Sequence, residues 1–172
     1  MGSAEPVLAV APAVRAMAPD LSGIPNINPT TGLSTDYLNH FTEAVMALEM
    51  VTAIPDCLPD LEAWRPKTYC EHFAGSRFTN RNLVIAAYEA ASPKVREDLE
   101  AASETLNSVL LETRDAVVAQ LAAPVAGELA TRAVAWLKPL IARTAAVING
   151  TAIGTDRDRY CTQAAIDTLF GR

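Results

Sequence analysis

Apolar residues recur every three or four positions in the two longest uninterrupted patterns of the chain, both within residues 92–150. The first pattern covers residues 95–121 and the second covers residues 125–147. This spacing places the apolar side chains on one stripe of an α-helix and the charged ones on the opposite face. The sequence therefore predicts two long amphipathic helices, and the short link between them favours an antiparallel hairpin.

Strong boundary signals flank both patterns. Ser92 offers a side-chain acceptor to the first helical turn, and Pro93 at the first helical position loses nothing by lacking an N–H. Pro124 interrupts the pattern because proline cannot donate to the preceding turn. Gly150, after Asn149, takes the left-handed conformation at little cost and predicts the end of the second helix.

Pro139 lies inside the second long helix and predicts a bend near Ala135. Such a bend shapes a helix around a core, which is the interpretation we favour here. The alternative is that the bend opens a pocket between the helices of the bundle.

The remaining chain predicts shorter helices separated by proline and glycine. Ser34 or Thr35 caps a helix that continues to about Ala53. Further helices are predicted to open at Pro59 and at Pro66, to follow a cap at Thr79 or Asn80, and to cover about residues 155–170.

Residues 1–33 differ from the rest of the chain because they hold five prolines, many alanines and few charges. Prolines at these intervals exclude a long helix, so we expect an extended N-terminal arm followed by a single all-α helical bundle domain over residues 34–172. Ile24, Ile27 and Leu33 are its expected anchors. They would contact either the chain's own bundle or a partner, and we favour the partner.

Composition supports a helical protein and excludes some partners. Half of the residues are hydrophobic but only 6% are aromatic, and alanine and leucine supply much of the apolar content. The net charge of −6 with scattered basic residues excludes a nucleic-acid-binding surface. The long apolar run at residues 133–154 contains Lys138 and Arg143, so we expect no membrane insertion.

Cys57, Cys70 and Cys161 are widely spaced and form no C-x-x-C pair. Neither a zinc site nor a redox dithiol is indicated, and reduced thiols are typical of a cytoplasmic protein. The N-terminus has Glu5 and two prolines where a secretion signal would be apolar, so a cytoplasmic location is expected.

The two histidines carry the candidate chemistry. Asp36, His40 and Glu43 follow each other at helical spacing, so they share one flank that could bind a metal or hold a proton-transfer group. The interpretation that we favour is simpler: two solvated acids beside a half-exposed histidine. His72 lies in a segment that repeats the pattern Y-x-x-H-F found at Tyr37, but nothing else matches at that offset, so we interpret the echo as chance.

No catalytic, cofactor or metal motif is present in the sequence. Glu-x-x-His pairs and lysine-containing phosphate loops are missing, so we predict no catalytic residue, cofactor or metal. The favoured function is a non-enzymatic interaction or accessory protein, acting through its arm and bundle surface on a protein partner or a second copy of the chain. The alternative is a helical ligand-binding or enzyme domain with a small pocket near His40 and His72.

Overall fold

A computed structural model describes residues 21, 23–51, 53–120 and 125–151 of the 172-residue chain. Helices hold 74% of the described residues, which include no β-strand, so the predicted all-α class is confirmed. The α-helices are α1 (Asn39–Val51), α2 (Leu58–Ala63), α3 (Tyr69–Ala74), α4 (Arg81–Ala90), α5 (Pro93–Ala119) and α6 (Val125–Ile148). Short 3-10 helices at Thr35–Leu38 and Pro55–Cys57 precede α1 and α2.

The boundaries of the two long helices follow the local signals. The Ser92 hydroxyl accepts a hydrogen bond from the amide of Val95 at 3.3 Å, and Pro93 is the first residue of α5. Helix α6 ends at Ile148, and Gly150 has a φ of +67°. Both boundary predictions are confirmed. Pro139 lies within the continuous helix α6.

The core forms where α5, α6 and α1 face one another. Helices α5 and α6 contact each other more extensively than any other pair, and α1 packs against α6 next. The largest fully buried side chains come from all three helices and include Phe41, Leu48, Leu99, Leu106, Leu110, Leu137 and Ile148. Burial of these apolar surfaces is the main stabilising term of the fold.

The cap predicted at Ser34 is confirmed, and one other predicted helix start is corrected by the structure. The Ser34 hydroxyl accepts from the amide of Asp36 at 3.2 Å, and the first turn is a 3-10 helix that becomes α-helical at Asn39. Helix α3 begins at Tyr69, not at Pro66, because Thr68 forms a capping box with Glu71. The Thr68 hydroxyl and the Glu71 carboxylate satisfy each other's free backbone N–H groups, which fixes the start of the helix. Pro124, Cys161 and the predicted helix at residues 155–170 lie outside the described residues.

The described part of the predicted arm rests on the end of α6. The Thr31 hydroxyl donates to the carbonyl of Ile148 at 2.5 Å, and the Asn28 side-chain amide donates to the carbonyl of Asn149 at 3.2 Å. An isolated antiparallel bridge joins Ile27 to Ser34. These contacts attach residues 27–34 to the domain, while residues 1–20 of the predicted arm lie outside the described residues.

Candidate functional site

The two Y-x-x-H-F segments pack against each other at the centre of an aromatic cluster. The ring centroids of Tyr37 and Tyr69 are 5.3 Å apart in an edge-to-face arrangement. The Tyr37 hydroxyl donates to the carbonyl of Lys67 at 2.8 Å, just before the second segment. The Tyr69 hydroxyl accepts from the amide of Ser34 at 2.7 Å, just before the first. Each tyrosine therefore holds the backbone that leads into the other segment.

His40 is buried rather than half-exposed, with 3% of its surface accessible. Its ring stacks on the indole of Trp64, with centroids 5.0 Å apart and planes 22° apart. The indole N–H of Trp64 also donates to the carbonyl of His40 at 3.0 Å. Burial first, then the nearby His72 and Lys67, lower the pKa of His40 to about 4, so its imidazole is neutral near pH 7.

His72 is half-buried, and its ring centroid lies 5.9 Å from that of His40. Burial and Lys67 lower the pKa of His72, and the Glu43 carboxylate and Asp36 partly oppose this. The two acids predicted to flank His40 therefore act electrostatically on His72. Asp36 also accepts a hydrogen bond from the Asn26 side chain at 3.0 Å. No group of three or more metal-binding side chains is found in the part of the chain that the structure describes.

A cavity of about 430 Å³ opens on the other side of the tyrosines. Its walls are Tyr37 and Tyr69, the segment Pro66–Thr68, Tyr88 of α4, and one face of α5. Neither histidine is among the residues that line it. Its volume lies within the range of small-molecule sites in proteins.

The α5 face of this cavity carries two buried polar atoms that have no hydrogen-bond partner in the protein. They are the Ser103 hydroxyl oxygen and the Asn107 side-chain carbonyl oxygen, one helical turn apart. Burial raises the pKa of the Tyr37 hydroxyl, and the nearby Ser103 hydroxyl partly opposes this, although the two hydroxyls do not meet hydrogen-bond geometry. Ser103 is 7% exposed, so bulk water does not readily satisfy it. Buried polar atoms without partners are costly, and a bound ligand can satisfy them.

The edge of the cavity is predominantly acidic. Glu71, Glu100 and Glu104 line it, against the single ammonium of Lys67. The Tyr88 hydroxyl donates to the carboxylate of Glu100 at 2.6 Å, which holds that carboxylate beside the tyrosine ring. Hydrogen bonds from the backbone and hydroxyl of Thr68 fix Glu71 and lower the pKa of its carboxyl.

The predicted arm residues differ in their accessibility. Leu33 is fully buried in the core, and Ile27 is partly buried against it. Ile24 is partly buried. Leu33 therefore contributes to the fold of this chain, and its side chain is not accessible to a partner in this conformation.

Helical periodicity places Glu100, Glu104 and Asn107 of α5 opposite the apolar stripe and gives no sign that they line a cavity. The repeated Y-x-x-H-F pattern was the available signal for the tyrosines, because its two copies meet at the cavity wall.

Comparison with known proteins gives no relative: no protein-family model, curated protein or solved structure matches the chain. Among the helices that the structure describes, none is long and apolar enough to cross a membrane. Cys57 and Cys70 are free and half-buried, and burial followed by Glu89 and Glu100 raises the pKa of the Cys70 thiol.

Proposed function

We propose that the chain is a helical ligand-binding domain whose ligand occupies the cavity between the paired tyrosines and α5. The observation that carries this proposal is the pair of buried, unpartnered polar atoms on Ser103 and Asn107, two residues that line a space of about 430 Å³. Side chains selected only for stability would be apolar at these positions or would bond to each other. The ligand would have an apolar body against Tyr37, Leu99 and Leu111, and a polar group that reaches Ser103 and Asn107.

Nuclear magnetic resonance titration tests this proposal with 2-phenylethanol, a small molecule with an aromatic body and one hydroxyl. We expect backbone amide shifts concentrated on the residues that line the cavity. Ser108→Phe places a phenyl ring in the lining and should abolish those shifts, whereas Ala142→Phe, at an exposed position of α6, should leave them unchanged. Shifts that are scattered over the surface, or that persist in Ser108→Phe, would contradict the proposal.

A second measurement separates binding from folding. Ser103→Ala removes an unpartnered buried hydroxyl, so we expect stability to stay equal or to rise by about 1 kcal/mol. The same variant should bind 2-phenylethanol more weakly. If Ser103→Ala is more stable but binds more weakly, Ser103 serves ligand binding and not folding. A loss of stability with unchanged binding would be evidence against the proposal. Should Ser108→Phe fail to fold, Leu111→Trp serves as the second blocking variant.

A second candidate function is self-association through α1, in line with an interaction protein that forms a homo-oligomer. Met46 and Met50 lie one turn apart on α1, and Ile54 follows the end of that helix at Val51. These three large apolar residues form a stripe, and they are 53%, 39% and 46% exposed. Glu49, paired with Lys138 at 2.7 Å, lies beside this stripe. A second copy of this chain presents the same apolar stripe, so two copies related by a two-fold axis can cover each other's exposed side chains.

Sedimentation equilibrium tests the self-association. Met50→Glu places a charge in the centre of the stripe and should reduce dimer formation, whereas Ala142→Glu, exposed on α6, should not. A monomeric wild-type protein at high concentration would exclude the two-fold interface. The result is independent of the cavity, because no residue of the stripe lines it.

We further propose that α5 and α6 form the antiparallel hairpin of a helical bundle. Only five residues separate Ala119 from Val125, and the two helices share the most extensive contact of the fold. A cytoplasmic location and an extended arm at the N-terminus also remain proposals.

A further inference from the structure

The acidic residues at the edge of the cavity indicate the charge of the ligand that it would bind. We propose that the cavity selects a small primary amine in its protonated form. This inference rests on the proposed ligand-binding function and adds the chemical class of the ligand. Three features of the cavity support a protonated amine: the fixed carboxylates, the tyrosine rings and the unpartnered acceptors.

The carboxylates are held in place before any ligand binds. Glu100 accepts from the Tyr88 hydroxyl at 2.6 Å, and Glu71 accepts from the Thr68 amide at 2.8 Å. Fixed side chains lose little conformational entropy when they meet a charged ligand. With Glu104, three acidic residues and one basic residue, Lys67, line the cavity, so its lining carries net negative charge. A cation gains from this charge, and an anion is repelled by it.

The negative charge also acts on side chains next to the cavity. Glu100 adds to burial in raising the pKa of the Cys70 thiol, and it raises the pKa of the Tyr88 hydroxyl as well. Both effects disfavour an additional negative charge at this position. The same negative charge that raises these two pKa values would favour the binding of a cation.

The tyrosine rings suit the same ligand. Tyr69 and Tyr88 stack with centroids 4.8 Å apart and planes 19° apart, and Tyr37 meets the edge of the pair. Tyrosine faces are electron-rich and attract ammonium groups within about 6 Å of the ring centre. The ring surfaces that this stacking leaves uncovered would contact an apolar body, so one wall would serve both ends of an arylalkyl or alkyl amine.

The unpartnered atoms distinguish a primary amine from a cation without N–H groups. The Asn107 carbonyl oxygen can only accept a hydrogen bond, and the Ser103 hydroxyl can accept one as well. A primary ammonium has three N–H donors, enough to satisfy both atoms and a carboxylate. A quaternary ammonium has none and would leave both atoms unsatisfied.

Isothermal titration with matched probes tests the selectivity: 2-phenylethylamine against its neutral counterpart 2-phenylethanol, on the full chain. We expect the amine to bind about tenfold more tightly. Glu100→Gln should remove most of this preference, because it should weaken the binding of the amine far more than the binding of 2-phenylethanol. Glu97→Gln changes the net charge equally on the exposed side of the same helix, outside the cavity lining, and should preserve the preference.

The outcomes separate the two proposals. Equal binding of the amine and the alcohol in the cavity would overturn the amine selectivity and leave the ligand-binding function intact. Binding of neither probe would overturn both. Tight binding of 2-phenylethyl-trimethylammonium would overturn the role of Ser103 and Asn107 as acceptors for N–H groups.

One further probe separates the two sources of a primary ammonium. Nα-acetyl-lysine methylamide represents a lysine side chain of a peptide. Weaker binding than 2-phenylethylamine supports a free amine as the ligand. Tighter binding would overturn the small-molecule assignment in favour of a peptide lysine.

Discussion

Tyr69 and Tyr37 hold each other's backbone in a nearly reciprocal arrangement, but the two hydrogen bonds differ in burial. The amide of Ser34 donates to the Tyr69 hydroxyl at 2.7 Å in a fully buried position. The Tyr37 hydroxyl donates to the carbonyl of Lys67, a residue that is exposed to solvent. Water can replace the second bond and cannot readily replace the first.

This difference predicts unequal effects of removing the two hydroxyls. Tyr69→Phe leaves the Ser34 amide buried without an acceptor and should lower the free energy of unfolding by about 1–3 kcal/mol. Tyr37→Phe frees a carbonyl that water can reach and should cost less than about 1 kcal/mol. Urea denaturation of both variants checks the order. Equal losses would mean that the Ser34 amide finds another partner.

The stacked pair of His40 and Trp64 makes stability depend on pH. The pKa of His40 is about 4 in the folded protein and about 6.5 in the unfolded chain, so between these values the unfolded state binds more protons. The free energy of unfolding should therefore fall as the pH decreases from about 6.5 to about 4, by up to about 3 kcal/mol. Above pH 6.5 the contribution of His40 is complete and constant.

His40→Phe, which keeps an aromatic ring beside Trp64 and removes the titration, is the test of this prediction. Chemical denaturation at a series of pH values should show a shallower decline for the variant. A smaller decline should remain from His72, whose pKa is lowered as well. Parallel curves for wild type and variant between pH 4 and 6.5 would show that His40 does not govern this dependence.

The helix ends that could be predicted from the sequence are fixed by residues close by in the chain. Ser92, Pro93 and Gly150 act on backbone groups within four residues, so their effect on the ends of α5 and α6 could be predicted locally. The start of α3 is also local, but it is fixed by the capping box of Thr68 and Glu71, so the prediction from Pro66 is three residues too early.

The candidate site could not be predicted in the same way. Asn107 and Glu100 lie on the polar face of α5, and only the packing of Tyr37, Tyr88 and residues 66–69 against this face turns it into the wall of a cavity. Those contacts join residues far apart in sequence, which helical periodicity does not encode. The burial of His40 could not be predicted for the same reason, because it depends on Trp64, 24 positions away.

Gly32 and Gly23 form a matched pair for a further prediction. Both have positive φ, +73° and +81°, so alanine is strained at either position. A Cβ at Gly32 would lie 3.2 Å from the carbonyl oxygen of Ala87, whereas a Cβ at Gly23 would meet nothing within 4 Å. Gly23→Ala should cost about 1 kcal/mol, and Gly32→Ala about 1 kcal/mol more. Thermal unfolding of both variants measures the difference, and equal losses would place the backbone of residue 32 farther from α4.

Leu106 tests whether the apolar stripe of α5 faces the core. Its side chain is fully buried, so Leu106→Asp would place a carboxylate among apolar groups and should cost about 4 kcal/mol or more. A loss of that size approaches the whole stability of a typical domain. Ala142→Asp introduces the same charge at an exposed helical position and should cost less than about 1 kcal/mol. Circular dichroism melting curves that do not distinguish the two variants would contradict the packing of α5.

The last prediction concerns the attachment of the N-terminal segment to α6. Thr31 is 5% exposed, and its hydroxyl donates to the carbonyl of Ile148 and accepts from the amide of Leu33 at 3.3 Å. Thr31→Val keeps the shape of the side chain but leaves both backbone groups without this partner, so it should lower the free energy of unfolding by about 1–2 kcal/mol. Thr30→Val makes the same change at an exposed neighbour and should be nearly neutral.

Hydrogen exchange provides the local readout for this pair. Faster exchange of the Leu33 amide in Thr31→Val, with global stability reduced, is expected if residues 31–33 are held by their own domain. If the two variants behave alike, the segment does not rest on α6 in solution, and a partner protein becomes the better explanation for the surface that Ile24 and Ile27 cover. The comparison therefore decides whether the arm packs within its own chain or on another.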